Sequence, residues 1–259
     1  MKLKAINYSL LLALFCINFL TAQIERIEPP NWWVGMENDT VQLLVYGNDI
    51  AEFTPSILNC QGCAYLVNYH RGDNSNYLFL DLLIPDYAMP QSFPIIFGNT
   101  DTGKSFSYPY ELKRRAQKPE DFKGFDSSDV IYLITPDRFA NGNPDNDIID
   151  GLLETDLDRN HNYKRHGGDI QGIIDHLDYI DDMGFTAIWS SPLLRNNMPE
   201  QSYHGYAMTD FYQVDPRFGT LEEYIKLSDG ATQKGIKLIM DQVANHCGLQ
   251  HWWMKDLPF

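Results

Sequence analysis

The sequence is short of positive charge. Its 259 residues carry 20 Lys and Arg against 35 Asp and Glu, a formal net charge of −15. A surface of that sign repels nucleic acid and anionic membranes, and it suits a neutral substrate or bound cations. Cysteine is scarce too, with four residues. Cys60-Gln61-Gly62-Cys63 has no second pair nearby to complete a zinc site and no βαβ setting to make it thioredoxin-like. It is either a local disulfide, which an oxidising compartment allows, or two thiols in a loop. Cys247 has no evident partner. The apolar run Leu10 to Leu20 falls short of the roughly 20 residues of a transmembrane helix. No internal repeat is present.

That apolar run follows Lys2 and Lys4 and closes on Thr21-Ala22-Gln23, the pattern of a secretory signal over residues 1–22. Cys16 lies in the run, but Phe15 before it is too bulky for a lipid-attachment site. Cleavage after Ala22 leaves Gln23 first and removes two lysines, taking the charge from −15 to −17. The expectation is a secreted, periplasmic protein with no stable membrane insertion once the signal is cleaved.

Residues 23–112 read as β structure. Val41 to Tyr46, Ala64 to Val67, Tyr77 to Ile84 and Pro94 to Phe97 are short apolar or alternating runs. Turn signals separate them, and Asn99 to Gly103 reads as a hairpin loop between Phe97 and Phe106. Such a series predicts a small immunoglobulin-like β-sandwich. Trp32 and Trp33 project to opposite faces of a strand, one to fill the core and one to cover a seam, or else to offer a sugar platform. A charged linker with Pro119 occupies residues 113–125.

From residue 126 the period changes. Val130 to Ile134 is a buried strand. Ile170, Ile173, Ile174, Leu177, Ile180 and Met183 fall at helical spacing before Gly184. Phe185 to Trp189 is a second strand, Thr220 and Glu223 form a capping box for a helix toward Gln233, and Ile236 to Met240 is a third strand. The order βαβαβ predicts parallel strands. A (β/α)8 barrel takes about 250 residues; residues 126–259 are enough for roughly three of its strands.

The third strand runs into Asp241-Gln242-Val243-Ala244-Asn245-His246. Polar groups at the carboxyl end of a parallel strand are either site residues or caps of the next helix. Here a resemblance enters. Asp241-x-x-x-Asn245-His246 resembles the first short motif of the α-amylase family of retaining glycoside hydrolases. Ser202-Tyr203-His204-Gly205-Tyr206 with Thr209-Asp210-Phe211 is similar to its Tyr-His-Gly-Tyr segment. Asp129 to Tyr132 with Asp137-Arg138-Phe139 resembles its first barrel strand. Glu28 to Trp33 resembles the start of the amino-terminal domain of neopullulanase- and cyclomaltodextrinase-type members.

The resemblance implies the first part of a (β/α)8 TIM barrel behind the sandwich, and an α-glucan as partner: starch, pullulan, maltodextrin or cyclodextrin. His246 then hydrogen-bonds the sugar at the cleavage point, Tyr206 stacks on it, and His204 is a neighbouring contact. Asp241 and Asn245 are structural members of the site. Retaining hydrolysis needs a nucleophilic carboxylate and a carboxylic acid. In the family these follow later strands, so they are expected beyond Phe259, in a longer protein of which this is the amino-terminal part. A calcium- and malto-oligosaccharide-binding remnant, and a transglycosylase or isomerase, are the alternatives.

Asn141-Gly142-Asn143-Pro144-Asp145-Asn146-Asp147 is rich in side-chain oxygens but departs from the EF-hand spacing. By its residues alone it is a solvated turn or a cation loop. It resembles the calcium loop of cyclomaltodextrinase-type members, which implies Ca2+ held by Asn141, Asn143, Asn146, Asp147, the Gly167 carbonyl and Asp169. Asp156 to Asn160 is a second oxygen-bearing run that matches no such site.

Overall fold

The structure, a computed structural model, describes residues 24–58, 60–116 and 124–259. The signal expected at 1–22 lies outside them, as does residue range 117–123 of the linker. Among the described residues no helix is long and apolar enough to cross a membrane. The chain forms two compact units, one running to Arg115 and the other from Ala116 to Leu257.

Among the described residues the first unit contains eight strands: β1 (Arg26–Glu28), β2 (Asn31–Trp33), β3 (Thr40–Tyr46), β4 (Thr54–Ile57), β5 (Tyr65–Arg71), β6 (Tyr77–Leu83), β7 (Gln91–Asn99) and β8 (Lys104–Lys113). They make two four-stranded sheets, ordered β1-β3-β6-β5 and β2-β8-β7-β4. Only the β2–β8 pairing is parallel. Alternation sets the inner faces. Val41, Leu43 and Val45 of β3 and Leu78, Leu80 and Leu82 of β6 share one core with Phe93, Ile95 and Phe97 of β7. This is the expected immunoglobulin-like sandwich. The strand expected at 64–67 instead spans Tyr65–Arg71, and that expected at 94–97 extends over Gln91–Asn99. β4 gave no strand signal because Pro55 interrupts it; it lies at a sheet edge, where a missing N–H is tolerated. The β7–β8 hairpin is closed by Asn99, whose Oδ1 accepts from the N–H groups of Asp101 and Thr102 at 3.0 Å each. Trp32 packs on the core and Trp33 is exposed. Cys60 and Cys63 are joined as a disulfide with Cα atoms 5.7 Å apart, and Cys247 is a free thiol.

The second unit runs β9 (Ile131–Ile134), α1 (Pro136–Phe139), α2 (Ile170–Asp175), α3 (Leu177–Asp182), β10 (Ala187–Ser190), α4 (Leu221–Gln233) and β11 (Lys237–Met240). The sheet order is β11-β10-β9, all parallel, with Ile134, Ser190 and Met240 in register at the carboxyl end. Ile134 and Ile188 pack with Ile170, Ile173, Ile180, Leu227 and Ala231 from the helices. The helix expected from Ile170 to Met183 is two helices broken at His176. The His176 ring bonds the Gly172 carbonyl at 2.7 Å, the acceptor its own backbone N–H would use in a continuous helix. The capping box on α4 is present in both directions, Glu223 N–H to Thr220 Oγ1 at 3.1 Å and Thr220 N–H to Glu223 Oε2 at 2.7 Å.

Candidate active site

Two long excursions and one strand end converge at the carboxyl edge of the parallel sheet. The β9–α2 excursion covers residues 135–169, and the β10–α4 excursion covers 191–220. Polar groups presented at this edge face the open side of the scaffold.

Tyr206 is the common contact. Its hydroxyl donates to Asp241 Oδ2 at 2.9 Å, its N–H donates to His204 Nδ1 at 2.9 Å, and its carbonyl oxygen faces His246 Nε2 at 3.1 Å. Its ring lies over that of His204, with centroids 5.9 Å apart and planes 27° apart, and is 39% exposed. Burial raises the Tyr206 phenol above its ordinary value, and the neighbouring Asp241 carboxylate adds to this, so the hydroxyl stays a donor.

Asp241 Oδ2 takes a second donor, Trp189 Nε1, at 3.1 Å. Trp189 pairs with Ile239 in the β10–β11 register, and its indole reaches two residues on to Asp241. Nothing in the sequence around Trp189 marks that bond. His246 Nδ1 bonds Asn245 Oδ1, so both ring nitrogens are engaged within the protein. The motif residues Asp241, Asn245, His246, Tyr206 and His204 are thus brought to one place. Burial lowers the His204 imidazole below its ordinary value, opposed by the Glu154 carboxylate.

The turn that presents Tyr206 is tightly specified. Ser202–His204 is a single 3-10 turn flanked by two left-handed residues, Gln201 at φ 57° and Gly205 at φ 81°. A Cβ on Gly205 would run into the Pro192 carbonyl oxygen, so only glycine fits. Behind the turn, Arg217 and Asp215 are fully buried and paired at 2.8 Å, and Arg165 lies 3.7 Å from the buried Asp137. Glu154, Arg165, Asp215 and Arg217 carried no motif signal.

The oxygen-rich loop is a second cluster. Asp169 caps α2 through Gly172 N–H at 2.6 Å and also accepts from the N–H groups of Gly142 at 3.1 Å and Asn143 at 2.8 Å. Asn146 Nδ2 lies 3.4 Å from Asp169 Oδ2, and Asn141 Nδ2 donates to Asp147 Oδ1 at 2.7 Å. Asn143 Oδ1 accepts from Asp145 N–H at 3.2 Å. Gly167, at φ 85°, backs onto Asp147 so closely that a Cβ would strike its carboxylate. The six residues of the loop reading are therefore gathered. Asn141 Oδ1 and Asn146 Oδ1 are buried with no hydrogen-bond partner, while the amide nitrogens face the carboxylates. Burial pushes the Asp147 carboxyl up, and the nearby Asp169 charge adds to this. Two carboxylates and two buried amide oxygens without a hydrogen-bond partner are the donor type a hard divalent cation such as Ca2+ takes, and Asn141, Asn146, Asp147 and Asp169 would supply them.

Comparison with known proteins agrees in both units. The family "Cyclomaltodextrinase, N-terminal" matches residues 26–116, and "Alpha amylase, catalytic domain" matches residues 133–257. A β/α-amylase of Paenibacillus polymyxa is 46% identical over 122 residues, 47% of this chain and 10% of that protein. Neopullulanase 2 of Thermoactinomyces vulgaris is 35% identical over 175 residues, 65% of this chain and 28% of that protein. A solved Anoxybacillus α-amylase is 46% identical, covering 49% of this chain and 26% of its own, with a TM-score of 0.45. The chain spans from about a tenth to just over a quarter of the length of these relatives. Its first unit thus matches the cyclomaltodextrinase amino-terminal domain, and its second matches the catalytic domain of the α-amylase family.

Proposed function

We propose that this chain is the amino-terminal part of a secreted, periplasmic α-glucan hydrolase of neopullulanase or cyclomaltodextrinase type. Its share of the work is to position the glucan. What carries the reading is the exposed Tyr206 ring, fixed through its hydroxyl to Asp241 and through its carbonyl to His246 at the carboxyl end of a parallel sheet. A ring face held this way packs against the C–H side of a pyranose. His246 supplies a ring nitrogen to a sugar hydroxyl when its contact with Asn245 gives way. His204 supports the Tyr206 face.

The reaction is retaining hydrolysis, with the nucleophile and the acid supplied by carboxyl groups outside this chain. Asp241 is assigned a structural role, in which its Oδ2 accepts from Tyr206 and Trp189. Calcium, when bound, supplies charge balance and loop closure between residues 141–147 and 167–169; no sugar contact is assigned to it.

The test compares two proteins on pullulan, maltodextrin and cyclodextrin. The 259-residue chain alone should release no reducing sugar, and the protein expressed from its complete reading frame should release α-anomeric products. Hydrolysis by the chain alone would place the carboxyl pair inside it. An inactive complete protein that still binds maltotriose would replace the enzyme with a binding module.

A further inference from the structure

We infer that Glu154 is a positioning residue: its carboxylate holds the left-handed turn at Gln201 that aims His204 and Tyr206. The inference rests on the reading of Tyr206 as the sugar-stacking residue.

Gln201 sits at φ 57° and ψ 28°, a conformation that residues other than glycine take up sparingly and keep only when their surroundings impose it. The imposing group is visible. Glu154, 5% exposed, accepts from Gln201 N–H through Oε1 at 3.1 Å and from Ser202 N–H through Oε2 at 2.7 Å. Two successive backbone N–H groups converging on one carboxylate is what an αL residue beside a helical turn produces.

The rest of Ser202 is held as well. It is fully buried, its carbonyl accepts from Asn196 Nδ2 at 3.2 Å, and its hydroxyl lies 3.4 Å from Arg165 Nη1. Glu154 is itself fixed, since its own carbonyl accepts from Arg217 Nη1 at 3.2 Å. Ser202 is fully buried, so losing the carboxylate leaves its N–H unsatisfied and removes the contact that holds Gln201 at its left-handed φ. Between Ser202 and Tyr206 the path is stiff. Gly205 donates to the Ser202 carbonyl at 3.2 Å, and the Tyr206 N–H then lands on His204 Nδ1.

The experiment uses the isotope-labelled protein from the complete reading frame, with maltotriose as the sugar. Glu154→Gln replaces one acceptor by an NH2 group facing an N–H. In the parent, the histidine nitrogen spectrum should show His204 fixed with an unprotonated, hydrogen-bonded Nδ1. In Glu154→Gln that signature should average toward a free imidazole, and the maltotriose Kd should rise about tenfold. Adding Gln201→Gly should restore both, because glycine adopts the left-handed turn unaided. A merely structural glutamate would lower the melting temperature without this recovery. Should Glu154→Gln not fold, Glu154→Asp keeps the charge but not the reach, and carries the same readings. An unchanged His204 signature, or a loss that Gln201→Gly does not recover, overturns the proposal. Maltotriose leaving the parent's Tyr206 signal unmoved removes the sugar reading, and the His204 signature then decides the positioning by itself.

Discussion

Tyr206 is held at its hydroxyl, its N–H and its carbonyl, which fixes an aromatic side chain on a loop as the proposed sugar platform requires. Its substitution should be costly without unfolding the unit, since its ring is partly exposed. In the protein from the complete reading frame, Tyr206→Ala and His246→Ala should each lower kcat/KM by on the order of 2–4 kcal/mol of transition-state stabilisation. Steady-state kinetics on maltodextrin checks this, and parent-like values for both variants would contradict it. His204 adds a pH dependence. Its folded pKa lies below the ordinary imidazole value of 6.5, so the folded state holds the proton less well than the unfolded chain does. Stability from this group is fully present above 6.5 and is lost as pH falls below it toward the lowered folded value. Protonation of Nδ1 also removes the acceptor for Tyr206 N–H. A histidine-resolved titration should show His204 protonating below the ordinary value, with maltotriose binding weakening over the same range. At this scale Asp241, Tyr206 and His246 were legible because they sit in short motifs. Glu154 was not, because its two bonds cross 47 and 48 residues of sequence and depend on a turn that only the fold creates.

Elements were legible where their signals are local. Thr220 and Glu223 satisfy each other three residues apart, and the capping box is present as expected. The break at His176 was hidden, because it depends on which carbonyl a ring happens to take. The tie at the amino end of the parallel sheet was hidden too. Asp129, just before β9, accepts from Lys237 Nζ of β11 at 2.6 Å and from Thr186 Oγ1, just before β10, at 2.8 Å. The Lys237 bond is the main reason its carboxyl is pushed down to about 2, with the Asp126 N–H and Thr186 assisting. Because the folded pKa is depressed, its contribution is present above the ordinary value of 3.8 and is lost as pH falls toward 2. Asp129→Asn should lower the melting temperature at neutral pH and flatten the acid limb between those values. A melting curve with the parent's acid limb would show the tie to be inert. The Asn141–Asp147 loop makes a separate prediction. Calcium should raise the melting temperature by mass action, and Asp147→Ala with Asp169→Ala should abolish the rise. Melting curves with and without chelator, together with metal analysis, check it. An unmoved parent curve and no bound calcium would reduce the cluster to a polar turn.

At the scale of the molecule, a sandwich followed by a parallel βαβαβ run was readable from the change of period near residue 126, and the structure contains both. On the proposed reading, the chain contributes a surface that places the glucan, built from strand ends and two long excursions. Its acidic composition leaves that surface suited to a neutral ligand. The decisive measurement is the position of a bound sugar in a crystal of the complete protein grown with maltotriose. One glucose ring should lie against the Tyr206 face with a hydroxyl on His246, and the Glu154-held turn should be unchanged. A sugar bound elsewhere on the protein, with Tyr206 and His246 uncontacted, would contradict the assignment of this edge of the sheet as the glucan site.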